Sequence, residues 1–72
     1  MEYTVVIHPS EEGGYWVEVP ALLGCYSQGE TAEEAMVNAR ESIESHLMAL
    51  NEDKQPIPKE EGFMFGRVAI AA

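Results

Sequence analysis

The sequence predicts an α+β fold, with a three-stranded antiparallel sheet and one long helix packed on one face of that sheet. Three observations carry this prediction. Two short β-branched and aromatic segments flank a glycine-containing turn, a third short segment lies between proline and glycine, and a long amphipathic segment follows. The predicted order is β-β-β-α-β, with the last strand at an edge, in a single domain over residues 1–72.

The first two strands are predicted over residues 3–8 and 15–19. Both segments are rich in valine, isoleucine, threonine and aromatic residues, a composition typical of strands. The connection between them is too long for a two-residue hairpin, and Gly13 and Gly14 supply its flexible corner.

Strand alternation predicts which side chains of the second strand face the helix. Val17 and Val19 fall on one face, and Trp16 and Glu18 on the other. With Val6, Trp16 would form an exposed apolar patch, which stable monomers usually keep small. A second copy, a partner protein or the C-terminal segment of the same chain would cover it, and the sequence leaves these alternatives open.

The third strand is predicted over residues 25–28, between two reversals. Pro20 ends the preceding strand because it has no N–H to donate. Gly24 and Gly29 are expected to turn the chain at positive φ, where a Cβ atom is unfavourable.

The helix is predicted from Ala32 to about Leu50. Thr31 is expected to accept a hydrogen bond from the Glu34 N–H, and the Glu34 carboxylate to accept one from the Thr31 N–H, as in a capping box. An apolar stripe at three- and four-residue steps would face the sheet: Met36, Ala39, Ile43, Leu47 and Leu50.

The chain after the helix reads as a polar connection over residues 51–61 and then a last strand over residues 63–70. Val68 and Ile70 would lie on one face of that strand. We expect it to return to an edge of the sheet.

The chain is strongly acidic, with 72 residues and a formal net charge of −9. No lysine or arginine precedes Arg40, whereas seven glutamates do. Such a surface repels phosphate, so we expect no direct binding of nucleic acid, and it attracts a basic partner. Acidic residues that merely keep a small protein in solution are the alternative reading.

Small size predicts that the chain acts as a homo-oligomer or with a partner. A domain of this length buries only about 60% of its unfolded surface, and its one cysteine excludes an internal disulfide. A lone thiol fits the reducing cytoplasm. The sequence has no signal peptide and no apolar run long enough to span a membrane.

Catalytic and metal-binding patterns are not apparent in the sequence. A thiolate–imidazole pair would require Cys25 with His8 or His46, yet no third group is spaced to orient the pair. The two histidines and the cysteine are scattered, without ligand spacing for zinc. We therefore expect no enzyme activity, no metal and no cofactor.

The segments 20–25 and 29–35 resemble the corresponding motifs in the N-terminal domain of the HicB-like antitoxins. That family carries a Pro-Asp-Leu-Pro-Gly-Cys run, a short strand, and a Gly-Asp-Thr step before a Glu-Glu-Ala helix start. The resemblance extends over roughly residues 3–50. Ala21 and Leu23 depart from it, since the family favours Asp and Pro there.

The resemblance implies a truncated ribonuclease-H-like fold without the nuclease site, because Glu18 is the one mid-strand carboxylate. It further implies binding and masking of a small basic ribonuclease toxin of HicA type, in a type II toxin–antitoxin system. We expect Trp16 to be the apolar anchor of that interface, with Glu18, Glu33 and Glu41 as its charged rim. An orphan homo-oligomeric binding module with no toxin partner is the alternative, and an enzyme built on Cys25 comes third.

Full-length relatives usually continue into a helix-turn-helix or ribbon-helix-helix DNA-binding segment. The sequence stops at Ala72 and its end is not basic. We therefore expect a standalone member in which operator binding and transcriptional autoregulation are in doubt.

Overall fold

Three short strands and one long helix make up the fold in a computed structural model of the chain, which describes residues 1–62 and 64–72. The strands are β1 (Val6–Pro9), β2 (Tyr15–Glu18) and β3 (Tyr26–Gly29), and the helix is α1 (Ala32–Glu52). The strands form one antiparallel sheet in the order β1-β2-β3. The predicted α+β class, the order of the first three strands before the helix, and the helix start are confirmed.

The helix covers one face of the sheet through Val17 in the central strand. Val17 pairs with Ile7 on one side and with Ser27 on the other. Its fully buried side chain packs against Ala35 and Ala39 of α1. Since neighbouring residues of a strand point to opposite faces, Trp16 and Glu18 lie on the face away from the helix, as the alternation predicted.

Strand β1 begins three residues later than predicted, and the cause lies in its neighbour. The last pair of the β1–β2 ladder joins Val6 to Glu18. Continued in the same register, the ladder would place Thr4 opposite Pro20, which has no N–H to donate. Residues 3–5 therefore lie beyond the end of the sheet.

Tyr3 and Thr4 do not pair with a strand of the sheet. They form hydrogen bonds to the segment that follows the helix. The Tyr3 hydroxyl donates to the Pro58 carbonyl oxygen at 2.6 Å. The Thr4 N–H donates to one carboxylate oxygen of Glu60 at 2.6 Å, and the Thr4 hydroxyl to the other at 2.8 Å. The chain is thereby fixed beside the start of β1 shortly before it turns at Gly62, whose φ is +87°.

The predicted last strand over residues 63–70 is wrong for the single chain. None of the described residues 64–72 belongs to a strand, and Phe63 lies outside the described residues. A strand forms by pairing with a neighbouring strand, and the sheet of the single chain contains only β1, β2 and β3 within the described residues. The prediction that it returns to the sheet edge is corrected accordingly.

The loop between β2 and β3 closes one end of the core through two successive turns. The Leu22 N–H donates to the Val19 carbonyl oxygen, and the Cys25 N–H to that of Leu22. Gly24 adopts the predicted positive φ, at +83°. These turns bury all three bonded residues against the C-terminal half of α1.

Gly29 is required for space and not, as predicted, for a positive φ. A Cβ atom at this position would lie 2.5 Å from the backbone nitrogen of Ala35 and 2.9 Å from its Cα. The first turn of α1 thus rests directly on the end of β3. This close approach is what brings Ala35 into the core beside Val17.

Two side-chain-to-backbone hydrogen bonds cap the N-terminus of α1. Thr31 accepts a hydrogen bond from the Glu34 N–H at 3.0 Å, as predicted. The Glu34 carboxylate accepts from the N–H of Glu30 at 3.0 Å, one residue before the predicted donor. Glu33 and Glu34 place negative charge at the positive end of the helix dipole.

Within the described ranges, no helix combines the length and the hydropathy that crossing a bilayer requires.

Candidate protein-binding face

The sheet face opposite α1 carries polar and aromatic side chains instead of a packed layer. We call it the outer face, and strand register assigns its members to two rows across the sheet. The rows are His8, Trp16 and Gln28, and Val6, Glu18 and Tyr26.

Trp16 is the centre of this face. Its ring stacks on His8, with centroids 4.2 Å apart and planes 19° from parallel. Tyr26 approaches from the other side at 6.3 Å, with its ring tilted by 49°. Trp16 remains 37% exposed and Tyr26 61% exposed, which leaves an aromatic surface of the kind that is enriched in protein interfaces.

Glu18 holds the histidine on which Trp16 stacks. One carboxylate oxygen of Glu18 lies 2.7 Å from Nε2 of His8. Both side chains are more than one third exposed, so the pair contributes little to folding stability. Its consequence is positional, since the contact places the imidazole against the Trp16 ring.

The four predicted interface residues do not all share one face. Trp16 and Glu18 lie together on the outer face, whereas Glu33 and Glu41 belong to α1, which covers the opposite face. Glu41 lines a groove between α1 and the free edge of β3, and Tyr26 borders the same groove. Glu41 is therefore linked to the outer face around the β3 edge, and Glu33 stands exposed in the first helical turn.

His8 and Tyr26 belong to this face, although sequence reasoning did not include them in the interface. Alternation along β1 puts His8 on the same face as Val6, so the sequence contains a signal for His8. The position of Tyr26 depends on the register of β3 against β2. That register cannot be read from the sequence, because two successive turns precede β3.

Cys25 has the surroundings of a structural thiol. Its side chain is buried, and burial raises the pKa of the thiol above its ordinary value, which disfavours the reactive thiolate. Cys25 and His46 line the same groove, yet the described part of the chain has no hydrogen bond that joins them. Nor do the described residues include a group of three or more side chains suited to hold a metal ion.

We expect alkylation of Cys25 to be at least about tenfold slower in the folded protein than in urea, because the reactive thiolate is both hidden and disfavoured. The matched control is the double variant Leu23→Cys/Cys25→Ser, which moves the thiol to a position that is 93% exposed. Iodoacetamide labelling followed by mass spectrometry measures the alkylation rate of each protein, both folded and in urea. Equal rates for the two proteins would restore Cys25 as a candidate nucleophile.

Comparison with known proteins identifies a family pattern over most of the chain. Residues 3–64 match the family described as the HicB-like antitoxin of bacterial toxin–antitoxin systems. A UPF0150 protein of Thermoplasma acidophilum is 43% identical over 60 residues, which cover 83% of this chain and 87% of that protein. Antitoxin HicB 1 of Photorhabdus laumondii is 38% identical over 58 residues, 81% of this chain and 37% of that protein.

A solved structure has the same fold as this chain. The crystal structure of the Burkholderia pseudomallei antitoxin HicB matches with a TM-score of 0.76 and 32% sequence identity, over 88% of this chain. The match covers 48% of that HicB chain, so the present chain corresponds to about half of the solved antitoxin.

Proposed function

Because the chain belongs to the HicB-like antitoxin family of bacterial toxin–antitoxin systems, we propose that it binds and masks a small basic ribonuclease toxin of HicA type, in a type II system. The observation that carries this proposal is the outer face. It presents Trp16 partly exposed, stacked on His8 and flanked by Tyr26, as a ready aromatic anchor.

Charge supports a basic partner. A ribonuclease must attract phosphate, so its RNA-binding surface is positive. This chain carries 13 acidic and 4 basic side chains, and complementary charge steers two such proteins together and places the acidic one over the RNA-binding surface. Masking then follows from occupation of that surface.

The proposed interface contains the four residues predicted from the sequence, and each has a different role in binding. Trp16 is the anchor, and Glu18 lies beside it and orients His8. Glu41 extends the site around the β3 edge, and Glu33 adds charge from the helix start. Anchors dominate affinity through the dissociation rate, whereas rim charges act mainly on the association rate and its salt dependence.

Charge reversal of the helical rim is expected to slow association with the toxin. The double variant Glu33→Lys/Glu41→Lys should lower the association rate about tenfold at low salt and much less at high salt, because the steering field is screened. Surface plasmon resonance across a salt series measures this. The control is Glu52→Lys/Glu61→Lys, with the same charge change at two other exposed glutamates; an equal loss there would mean that net charge alone matters and would remove Glu33 and Glu41 from the rim.

We propose that the protein is non-catalytic and cytoplasmic and does not contact nucleic acid directly. The buried Cys25, whose pKa is raised, supports a structural thiol over a nucleophile, and a free cysteine suits a reducing compartment. We also propose a homo-oligomer as its working form, since so small a core is marginal alone. An orphan module without a toxin is not favoured by the family match.

The test is purification from the source cells at low salt, with mass spectrometry of co-eluting proteins and light scattering on the complex. The expected result is a stoichiometric basic protein, smaller than about 100 residues, that high salt releases. Elution with no such companion would overturn the proposal.

A further inference from the structure

The apolar stripe of α1 is wider than the sheet that covers it. Of the predicted stripe, Ala39 is buried, whereas Ile43 and Leu47 are half-buried and Met36 is 45% exposed. A groove runs beside these side chains on the β1 side of the sheet, and Tyr3 and Val5 form its opposite wall. The helix therefore has an uncovered apolar strip next to the free edge of β1.

The free edge of β1 is a second uncovered surface next to this groove. β1 is an outer strand of the sheet order β1-β2-β3, so one side of its backbone is open to another strand. Open edges of this kind accept an added strand from another chain unless the fold protects them. A fourth strand at this edge would lie beside Val5, which directly precedes β1 and lines the groove.

The chain carries a segment of matching character that its own sheet does not use. In residues 64–72, which we call the arm, alternation places Met64, Val68 and Ile70 on one face. They are 95%, 83% and 78% exposed. The radius of gyration is 14.3 Å, against roughly 11 Å for a compact domain of this length, so the described chain is elongated.

The segment before the arm is bonded beside the start of β1 in its own chain. Pro58 and Glu60 are bonded to Tyr3 and Thr4, beside the start of β1. Gly62 follows at a φ of +87°, and none of the described residues 64–72 belongs to a strand. The arm thus follows a segment that is bonded beside the start of β1, and in the single chain it adds no strand to that edge.

We propose that two copies of this chain exchange arms, so that the arm of each copy adds to the free edge of β1 in the other as a fourth strand. Met64, Val68 and Ile70 then pack into the groove between Val5 and the helix stripe of the second copy. This inference rests on the homo-oligomer in the proposed function and names the surface that forms it.

Size and charge fit a second copy as the occupant. Nine residues of strand span about 30 Å, more than the length of the four-residue β1. The arm has Arg67 as its one charged side chain in a chain of net charge −9, so it is attracted to the body of a second copy. Two reciprocal exchanges form a closed two-fold dimer in which both grooves are filled.

The exchange leaves the outer face uncovered. The groove lies on the helix side of the sheet, whereas Trp16 lies on the opposite side. A dimer built in this way presents two outer faces and can hold two toxins.

The test is the molar mass of the full chain by light scattering and sedimentation over a roughly hundredfold range of concentration. The expected mass is twice the 8.0 kDa of one chain. The double variant Val68→Glu/Ile70→Glu should shift the protein to monomer by at least about tenfold in dissociation constant, because it places charge in an apolar groove. The control Ala69→Glu/Ala71→Glu puts the same charge on the opposite face of the arm; it loses the same charge attraction but leaves the groove contacts intact, so it should weaken the dimer much less.

A monomeric wild-type protein at all concentrations would overturn the exchange, and so would a dimer that the Val68→Glu/Ile70→Glu variant leaves intact. Circular dichroism checks that each variant is folded. If the variant fails to fold, truncation after Gly66 removes the same contacts and must give a folded monomer. Toxin capture by the Trp16 face is measured separately on the same variants, so failure of the exchange and failure of the antitoxin proposal are distinguishable.

Discussion

Replacement of Trp16 by alanine is expected to weaken toxin binding by at least about 30-fold, roughly 2 kcal/mol, the scale of an interface hot spot. The indole is held between His8 and Tyr26 and is 37% exposed before binding. A partner that covers it gains a large apolar contact without the cost of ordering the side chain. The loss should appear mainly as faster dissociation.

Val37→Ala is the matched control for this variant. Val37 is a large apolar side chain, 61% exposed, but it lies on α1 and not on the outer face. Its truncation should leave affinity within about twofold, since scattered surface apolar residues contribute little. Calorimetric titration of both variants with the co-purified toxin decides the matter, and equal affinities for Trp16→Ala and wild type would remove Trp16 as the anchor.

Gly29→Ala is expected to lower the free energy of unfolding by about 1–3 kcal/mol, the usual cost of overpacking. The added Cβ atom would lie 2.5 Å from the Ala35 nitrogen, and the neighbouring atoms are backbone, which cannot rotate away. Either the first turn of α1 lifts from β3 or the strand shifts. Both responses separate Ala35 from Val17 in the core.

Urea unfolding at one fixed protein concentration measures this loss, because association makes stability depend on concentration. Gln55→Ala is the control, since this side chain is exposed and lies outside the packing of α1 on β3. That control should change stability by less than about 0.5 kcal/mol. A midpoint for Gly29→Ala equal to that of wild type would contradict the close packing of helix on strand.

Local signals predicted the helix and the central strand well. The Thr31 side chain caps the Glu34 N–H and α1 begins at Ala32, as expected. Period-two alternation correctly placed Val17 inward and Trp16 outward. Such patterns are encoded within a few residues of one another, so they can be read without knowledge of the tertiary fold.

The errors concern features that depend on distant parts of the chain. The start of β1 depends on Pro20 across the sheet, and the role of Gly29 depends on the approach of Ala35. The arm was expected to pair within its own sheet because its composition is that of a strand. Composition predicts that a segment can form a strand. It does not predict which sheet edge the strand pairs with, or whether that edge belongs to the same molecule or to another.

The candidate site was predictable in part for the same reason. Alternation alone placed Trp16 and Glu18 together. The contribution of Tyr26 required the register of β3, and the separation of Glu33 from the outer face required the side on which α1 packs. A residue pattern within one element predicts a face, whereas an interface combines faces of several elements.

The most direct measurement of toxin masking is an RNA-cleavage assay with the basic companion that salt releases from the purified complex. The companion alone is expected to degrade RNA, and the wild-type protein at one equivalent should stop the cleavage. The Trp16→Ala variant should require a large excess to do so. Cleavage that continues when the toxin is saturated with wild-type protein, or a companion that does not cleave RNA, would contradict the proposed antitoxin function.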